Sequence, residues 1–260
     1  DFVSNDILWL NNQDGSFTNC ISQSVNHQSY SSMGVDAADI NNDALADIVT
    51  LDMLPELNTR RKTSVSFMSN ERYLAEREMG YEPAFVRNML QLNMGYRLIG
   101  DKRIPYFSEI GQLSGIDATD WSWSVLLADF NCDGWKDMHI TNGIGRDFIH
   151  GDFLEFSSNI FSSTLSREEQ ERKIRKKISE QKPIELPNYL FMNNKGIIFS
   201  DESAAGGINK KAISNGAASV DLDNDGDLDL VVNNINSEAF VFLNNTFDQR
   251  KVSKKHSLRI

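Results

Sequence analysis

Three short segments of the chain concentrate side-chain oxygen atoms at a spacing that suits a bound metal ion. Each begins with Asp, has Asp or Asn at its third position, and has Asp at its fifth and ninth positions. In a tight loop, four such side chains can converge on one cation, with each oxygen about 2.4 Å from it. Oxygen donors without His or Cys favour Ca²⁺ over zinc or copper, and Mg²⁺ tends to keep its waters. The candidate ligands are Asp39, Asn41, Asp43 and Asp47 in the first loop, Asp129, Asn131, Asp133 and Asp137 in the second, and Asp221, Asp223, Asp225 and Asp229 in the third.

Two other interpretations apply to acidic loops of this kind. An EF-hand loop starts in the same way but needs a Glu at position 12 and helices on both sides. Position 12 here is Thr50, Ile140 or Val232, each within a strand-like run. Clusters of Asp, Asn and Gly also form ordinary turns. Five aspartates within the nine residues 221–229 argue against a simple turn, because unneutralised like charges repel.

The acidic loops belong to a longer internal repeat. A short apolar run that ends in Asn recurs four times along the chain, at Asn11, Asn93, Asn193 and Asn244. From this Asn to the first Asp of the next loop there are 28 residues in the first and third copies but 36 in the second. We therefore expect an insertion in the second copy, at about Arg97–Pro105.

The repeat predicts an all-β fold. Apolar residues flank each acidic loop, which indicates a strand, a loop and a second strand. With the hairpin that precedes it, each copy contains about four short strands in ~45–55 residues, the size of a propeller blade. A further short polar residue follows thirteen positions after the first Asp of each loop, at Asp52, Asn142 and Asn234. The predicted β-propeller blades form a partial ring within residues 1–250, with units at about 7–52, 89–143 and 189–239 and a fourth beginning at 240.

Two insertions between the units have helical character. Residues 53–88 contain one helix-like stretch, Ser66–Tyr81. Residues 147–188 contain apolar side chains at helical spacing followed by a charged stretch with acid-to-base pairs four residues apart. We expect the segment 151–182 to be largely helical and its apolar stripe, including Phe153 and Phe156, to cover a sheet edge or a partner.

The composition excludes two classes of protein. The 260 residues include 26 Lys and Arg against 37 Asp and Glu, which gives a net charge of −11. An acidic surface repels phosphates, so a nucleic-acid partner is not expected. No apolar run approaches the length of about 18 residues that a membrane-spanning helix needs. Cys20 and Cys132 are too few for a disulfide scaffold or a thiolate zinc site.

Two tryptophans allow a carbohydrate site. Trp121 and Trp123 alternate, so both lie on one face of a strand. Exposed aromatic rings there could stack on sugars, although packing between sheets is the simpler explanation. Asp36, three residues before the first loop, could support a ligand or cap a turn.

The loops resemble those of FG-GAP (VCBS, integrin α-type) repeats, whose Asp-x-Asp-x-Asp-Gly-x-x-Asp motifs bind calcium in β-propeller blades. The segments Met33–Asn42, Arg87–Asn93 and Thr119–Ser124 are similar to bacterial surface proteins of the cartilage-acidic-protein type. In those proteins the repeats precede an ASPIC/UnbV domain, whose first strand the end of the chain, at 251–260, resembles. Ala44, Asn41 and Asn131 depart from the strictest motif, and Ala44 resists the left-handed turn that Gly allows.

The resemblance and the loops together lead to one expectation and one alternative. The expected function is a non-enzymatic calcium-binding module of a secreted or cell-envelope protein, with a protein or carbohydrate partner. Weak sites suit that location because extracellular calcium is abundant enough to fill them. The alternative is a polysaccharide lyase or hydrolase built on a calcium-binding propeller, for which two carboxylates free of calcium near Trp121 or Trp123 would be needed.

Overall fold

The computed structural model describes residues 5–64 and 69–246. Most of its regular elements are short strands in several antiparallel sheets, accompanied by few helices. The strands are β1 (Trp9–Asn11), β2 (Phe17–Asn19), β3 (Gln28–Ser29), β4 (Val35–Ala38), β5 (Asp47–Thr50), β6 (Ala84–Phe85), β7 (Met89–Ile99), β8 (Lys102–Glu109), β9 (Ser122–Ala128), β10 (Asp137–Asn142), β11 (Leu186–Pro187), β12 (Tyr189–Asn193), β13 (Phe199–Asp201), β14 (Lys211–Ala212), β15 (Ser214–Val220), β16 (Asp229–Asn234) and β17 (Phe240–Phe242). The helices are α1 (Ile21–Ser24), α2 (Asn58–Thr63), α3 (Asn70–Glu78), α4 (Gly111–Ser114), α5 (Gly151–Phe161) and α6 (Arg167–Glu180).

Each acidic loop joins two antiparallel strands, as predicted. The loops connect β4 to β5, β9 to β10, and β15 to β16. In all three pairs the last residue before the loop lies opposite the ninth loop residue: Ala38 opposite Asp47, Ala128 opposite Asp137, and Val220 opposite Asp229. The three copies therefore share the same register.

The sheets are offset by half a repeat from the predicted units. Sheet 1 has the strand order β4-β5-β7-β8, sheet 2 has β9-β10-β12-β13, and sheet 3 has β15-β16-β17. Each sheet thus combines the two strands around an acidic loop with the apolar run that follows the loop. The predicted units 7–52, 89–143 and 189–239 instead combined each loop with the apolar run that precedes it. Sequence spacing could not distinguish the two groupings, because an apolar run that ends in Asn adjoins each strand pair on both sides. The leading hairpin, β1 and β2, forms a separate two-stranded sheet.

Successive sheets pack on each other through apolar faces. Strand β4 lies beside β9, and β9 lies beside β15. One buried cluster joins Val49 and Leu90 of sheet 1 to Met138 and Ile140 of sheet 2. A second joins Leu190 of sheet 2 to sheet 3. Burial of each such side chain contributes about 1.5–3 kcal/mol, so these two interfaces hold the repeats together.

The extra residues of the second copy lie at the expected place in the sequence, and there they extend a hairpin. Strands β7 and β8 continue past a register shift between Asn93 and Tyr96, and Tyr96 pairs with Pro105. The insertion therefore lengthens an existing pair of strands instead of adding a separate element.

The insertions contain more helices than predicted. In the stretch 53–88 the structure has two helices, α2 and α3, in place of one over 66–81, and residues 65–68 lie outside the described part. The segment 151–182 is largely helical, but Ser166 starts α6 anew with a capping box to Glu169, because a Ser three residues before a Glu satisfies the first free backbone N–H groups. Of the predicted apolar stripe, Phe153 is buried and Phe156 is half-buried. No described helix is long and apolar enough to cross a membrane.

A buried hydrogen-bonded network, here called the polar belt, lies at the strand ends opposite the acidic loops. It links the three sheets: Asn188 donates to Ser214 Oγ and accepts from the backbone of Asn142, whose side chain accepts from Ser122 Oγ at 2.6 Å. The network continues through further buried polar groups into sheet 1. Its members are Ser29, Asp52, Asn88, Thr119, Ser122, Asn142, Asn188, Ser214 and Asn234.

Candidate metal centre

The ninth residue of each loop lies beneath it and braces it. Asp47, Asp137 and Asp229 are buried. In each case one carboxylate oxygen accepts from the backbone N–H of the second loop residue, at 2.7–3.0 Å. The other oxygen accepts from the N–H of the Asn that ends the apolar run, at 2.7–2.9 Å. The predicted fourth ligand is therefore also the anchor that fixes the loop to its sheet.

The first two loops close around their leading Asp. Asp39 accepts from the N–H groups of Asp43 and Ala44, at 3.1 and 2.8 Å. Asp129 accepts in the same way from Asp133 and Gly134, at 3.0 and 2.9 Å. In both loops the Asn at the third position also accepts from the N–H of the fifth residue. These contacts turn the first and third side chains toward the backbone N–H of the fifth residue.

The third loop brings three carboxylates together. Ligand atoms of Asp221, Asp223 and Asp225 all lie within 4.8 Å of one another. Two oxygens bound to one Ca²⁺ at about 2.4 Å lie no more than about 4.8 Å apart, so this spacing is compatible with a shared cation. Asp229 lies outside this group, because both of its oxygens are turned toward backbone N–H groups.

All three loops use the same backbone conformation at positions four and six. These residues have positive φ: 59° and 68° at Asn42 and Ala44, 54° and 93° at Cys132 and Gly134, and 62° and 101° at Asn224 and Gly226. Ala44 therefore adopts the left-handed conformation that it was expected to resist. This costs about 1 kcal/mol because its Cβ crowds the carbonyl.

The surroundings of the loop carboxylates raise the pKa of several of them and so disfavour their negative charge. Burial raises the pKa of Asp137 to about 6, against hydrogen bonds from backbone groups that lower it. Burial likewise raises the pKa of Asp47, with further contributions from Asp43 and Asp39. In the exposed third loop, desolvation and repulsion from Asp225 and Asp229 raise the pKa of Asp223. A bound cation would relieve the same repulsion.

The Asn at the end of each apolar run is a site residue whose role was not anticipated. The sequence marked Asn93, Asn193 and Asn244 as repeat landmarks only. Each donates its side-chain amide to the carbonyl of the eighth loop residue, at 3.0–3.1 Å. The regular spacing of these asparagines marked them as special. Their partners, the carbonyls of the eighth loop residues, belong to a different part of the sheet and could not be assigned from spacing.

The other residues considered from the sequence have structural contacts. Asp36 accepts from Leu127 N–H at 2.8 Å and so joins sheet 1 to sheet 2. Trp121 and Trp123 lie 6.3 Å apart between ring centroids and are partly buried. Cys20 is buried and Cys132 is half-buried, and no disulfide joins them.

Comparison with known protein families gave one match. A family model described as an FG-GAP-like repeat matches residues 2–50. A search of curated proteins gave no match to the chain. The matched segment includes the hairpin of β1 and β2, the first acidic loop and the two strands around it. Residues 2–50 are thus an FG-GAP-like repeat, and the second and third loops repeat its geometry.

Proposed function

We propose that the chain is a calcium-binding β-propeller segment of an extracellular or cell-envelope protein. The observation that supports it most directly is the convergence of Asp221, Asp223 and Asp225 to within 4.8 Å. The matching register of three acidic loops and the FG-GAP-like repeat at residues 2–50 support the same proposal. Propeller blades of this type are typical of extracellular proteins, where calcium is plentiful.

The donor set fits Ca²⁺ in each loop. The first, third and fifth side chains would supply carboxylate or amide oxygens, and the buried ninth carboxylate braces the loop from beneath. Calcium would supply positive charge that offsets the repulsion among these groups and would hold the loop closed. We expect the third loop to bind most tightly because all its candidate ligands are carboxylates. The second follows, and the first is weakest because of Ala44.

Thermal unfolding with calcium and with chelator tests this proposal. At a hundredfold excess over Kd, calcium should stabilise the folded protein by about 2.7 kcal/mol per site. Asp225→Ala should remove more of this stabilisation than Asp43→Ala, and Asp101→Ala, an exposed acid outside the loops, should remove none. An unchanged melting temperature of the parent in chelator would refute the calcium proposal. A larger loss for Asp43→Ala would refute the ranking.

We propose further that the segment binds a protein or carbohydrate and is not an enzyme. The acid next to the tryptophans, Asp120, is held at 2.7 Å by Arg60, which also binds Asp147 at 2.9 Å. A carboxylate fixed by an arginine is poorly suited to act as an acid or nucleophile in the alternative, a polysaccharide-acting enzyme. A glycan array followed by a product assay distinguishes the two, since binding without turnover excludes the enzyme.

The proposed architecture extends to the end of the chain. By the resemblance to cartilage-acidic-protein-type surface proteins, 251–260 would begin an ASPIC/UnbV domain. These residues lie outside the described part of the structure. Expression of a chain extended at its C-terminus, with its domain limits mapped by limited proteolysis, tests this assignment.

A further inference from the structure

Adjacent acidic loops are joined by side-chain hydrogen bonds from one sheet to the next, one buried and one part-buried. The side-chain amide of Asn193, which ends β12 in sheet 2, donates to Ile40 O in the first loop at 2.8 Å. The amide of Asn244, which follows β17 in sheet 3, donates to Phe130 O in the second loop at 2.6 Å. Ile40 and Phe130 both occupy the second position of their loops, between two candidate ligands.

Each of these asparagines also holds its own loop. The Asn193 N–H donates to Asp137 and its amide donates to Lys136 O. Asn244 makes the equivalent contacts with Asp229 and Leu228. Each asparagine therefore holds its own loop through its backbone N–H and its amide, and the same amide holds a peptide between two candidate ligands of the preceding loop.

The contacts form a continuous path across all three loops. It runs from Ile40 through Asn193 to Asp137, whose carboxylate accepts from Phe130 N–H. From Phe130 it continues through Asn244 to Asp229. Asn193 is buried, with 4% of its surface exposed, so a shift of the loop at either end cannot be absorbed by solvent. A second contact, from Asn42 to Gly134 O, is exposed to water and is correspondingly weaker.

We infer that Asn193 and Asn244 are positioning residues that couple calcium binding between neighbouring loops. The inference rests on the calcium-binding function proposed above. Ordering of one loop by a cation fixes the asparagine, and the asparagine then holds the second residue of the preceding loop in the bound arrangement. By linkage, each loop raises the affinity of its neighbour by the same factor, and coupling of this kind is typically at least about fivefold.

The second loop has a built-in reporter for this coupling. Trp135 is its seventh residue, and Trp9, Trp121 and Trp123 lie outside the acidic loops. Terbium(III), a hard cation that also prefers oxygen ligands, emits when a nearby indole transfers energy to it. Displacement of Tb³⁺ by Ca²⁺ therefore measures the affinity of the second loop, and Trp135→Phe should abolish the signal.

Four proteins isolate the role of Asn193: the parent, Asp43→Ala, Asn193→Ala and the double variant. Asp43→Ala disables the first loop and should weaken calcium binding at the second loop about fivefold or more in the parent. In the Asn193→Ala background the same change should have little effect. The matched control is Asn93→Ala. Asn93 makes the same contacts with its own loop, and its described side-chain contacts include none to a preceding acidic loop, so the coupling should persist.

The outcomes separate this inference from the proposed function. If the parent gives no calcium-displaceable signal and no calcium-dependent change in melting, the calcium proposal fails. If calcium binds but Asp43→Ala weakens the second loop equally with and without Asn193, the coupling inference is overturned. If Asn193→Ala does not fold, the same comparison can be made with Asn244→Ala. Asp225→Ala then disables the third loop, and calcium binding is again measured at the second loop. Loss of coupling there supports the inference, and its persistence refutes it.

Discussion

The two ends of the strands use the same residue types for different purposes. At one end, the acidic loops leave carboxylates such as Asp43 and Asp225 exposed. At the other end, the polar belt buries Asp52, Asn142 and Asn234, and each has hydrogen-bond partners within the protein. The difference shows that repetition of an Asp or Asn does not by itself mark a candidate ligand, since the belt residues repeat in register but serve the fold.

The two ends should therefore respond differently to calcium. The belt completes its hydrogen bonds without any ion, so its contribution to stability should be independent of calcium. The loops leave ligand oxygens for a cation and should gain stability when it binds.

The largest expected effect is at the polar belt. Asn188→Ala removes the acceptor of the buried Asn142 N–H and the donor to Ser214. An orphaned buried polar group costs about 1–3 kcal/mol, so the free energy of unfolding should fall by about 2–4 kcal/mol. Denaturant titration should give the same loss in calcium and in chelator. The control is Asn194→Ala, which removes only an exposed contact to Ser200 and should cost under about 0.5 kcal/mol. A loss that depends on calcium would contradict the separation of the two ends.

The next effect concerns His139, midway along β10 between the loop and the belt. Burial lowers its pKa to about 4, from 6.5 in the unfolded chain. The unfolded state therefore binds the proton first, so stability is fully present well above pH 6.5 and is lost as the pH falls toward 4, by about 3 kcal/mol.

His139→Gln should flatten the dependence of stability on pH in this window. The raised pKa of Asp137 acts in the opposite direction, since stability falls as pH rises from 3.8 to about 6. That effect is common to both proteins, so the difference between them reports on His139. Equal slopes for parent and variant from pH 6.5 to 4 would exclude the histidine as the cause.

A smaller effect sharpens the comparison among loops. Ala44→Gly places the preferred residue at φ 68° and should stabilise the folded protein by about 1 kcal/mol through relief of Cβ strain. It should also raise the calcium affinity of the first loop. Gly134→Ala, at the equivalent position of the second loop, should have the opposite sign. Melting temperatures of both variants check the prediction, which fails if both move in the same direction.

The smallest effect is expected on α6, which has no buried residue. Glu171 contacts Arg167 and Arg175 at 3.3 and 3.9 Å on an exposed face. Such pairs contribute about 0.3–0.5 kcal/mol each, so Glu171→Gln should lower stability by less than about 1 kcal/mol, and less still at high salt. A larger loss, measured by denaturant titration, would mean that α6 packs on another surface.

The acidic loops were predictable because their candidate ligands are local. Positions one to nine lie in one loop, and the apolar residues on either side of it predicted the two strands. Partners across sheets were not predictable in this way. Asn193 has Ile40 as a partner 153 residues away, and the belt depends on Asn88 and Asn188, which look like ordinary residues before a strand. The offset of the sheets by half a repeat could not be predicted for the same reason. It depends on which strands pair with each other in space, and the spacing of residues along the chain does not determine this.

The contact between Gly34 and sheet 2 has a consequence for how the repeats can change. A Cβ at Gly34 would overlap the carbonyl oxygen of Trp123, so β4 and β9 meet there through main-chain atoms. The separation of sheets 1 and 2 at this point is therefore set by the peptide backbone, and a residue with a Cβ at position 34 would have to push the two chain segments apart.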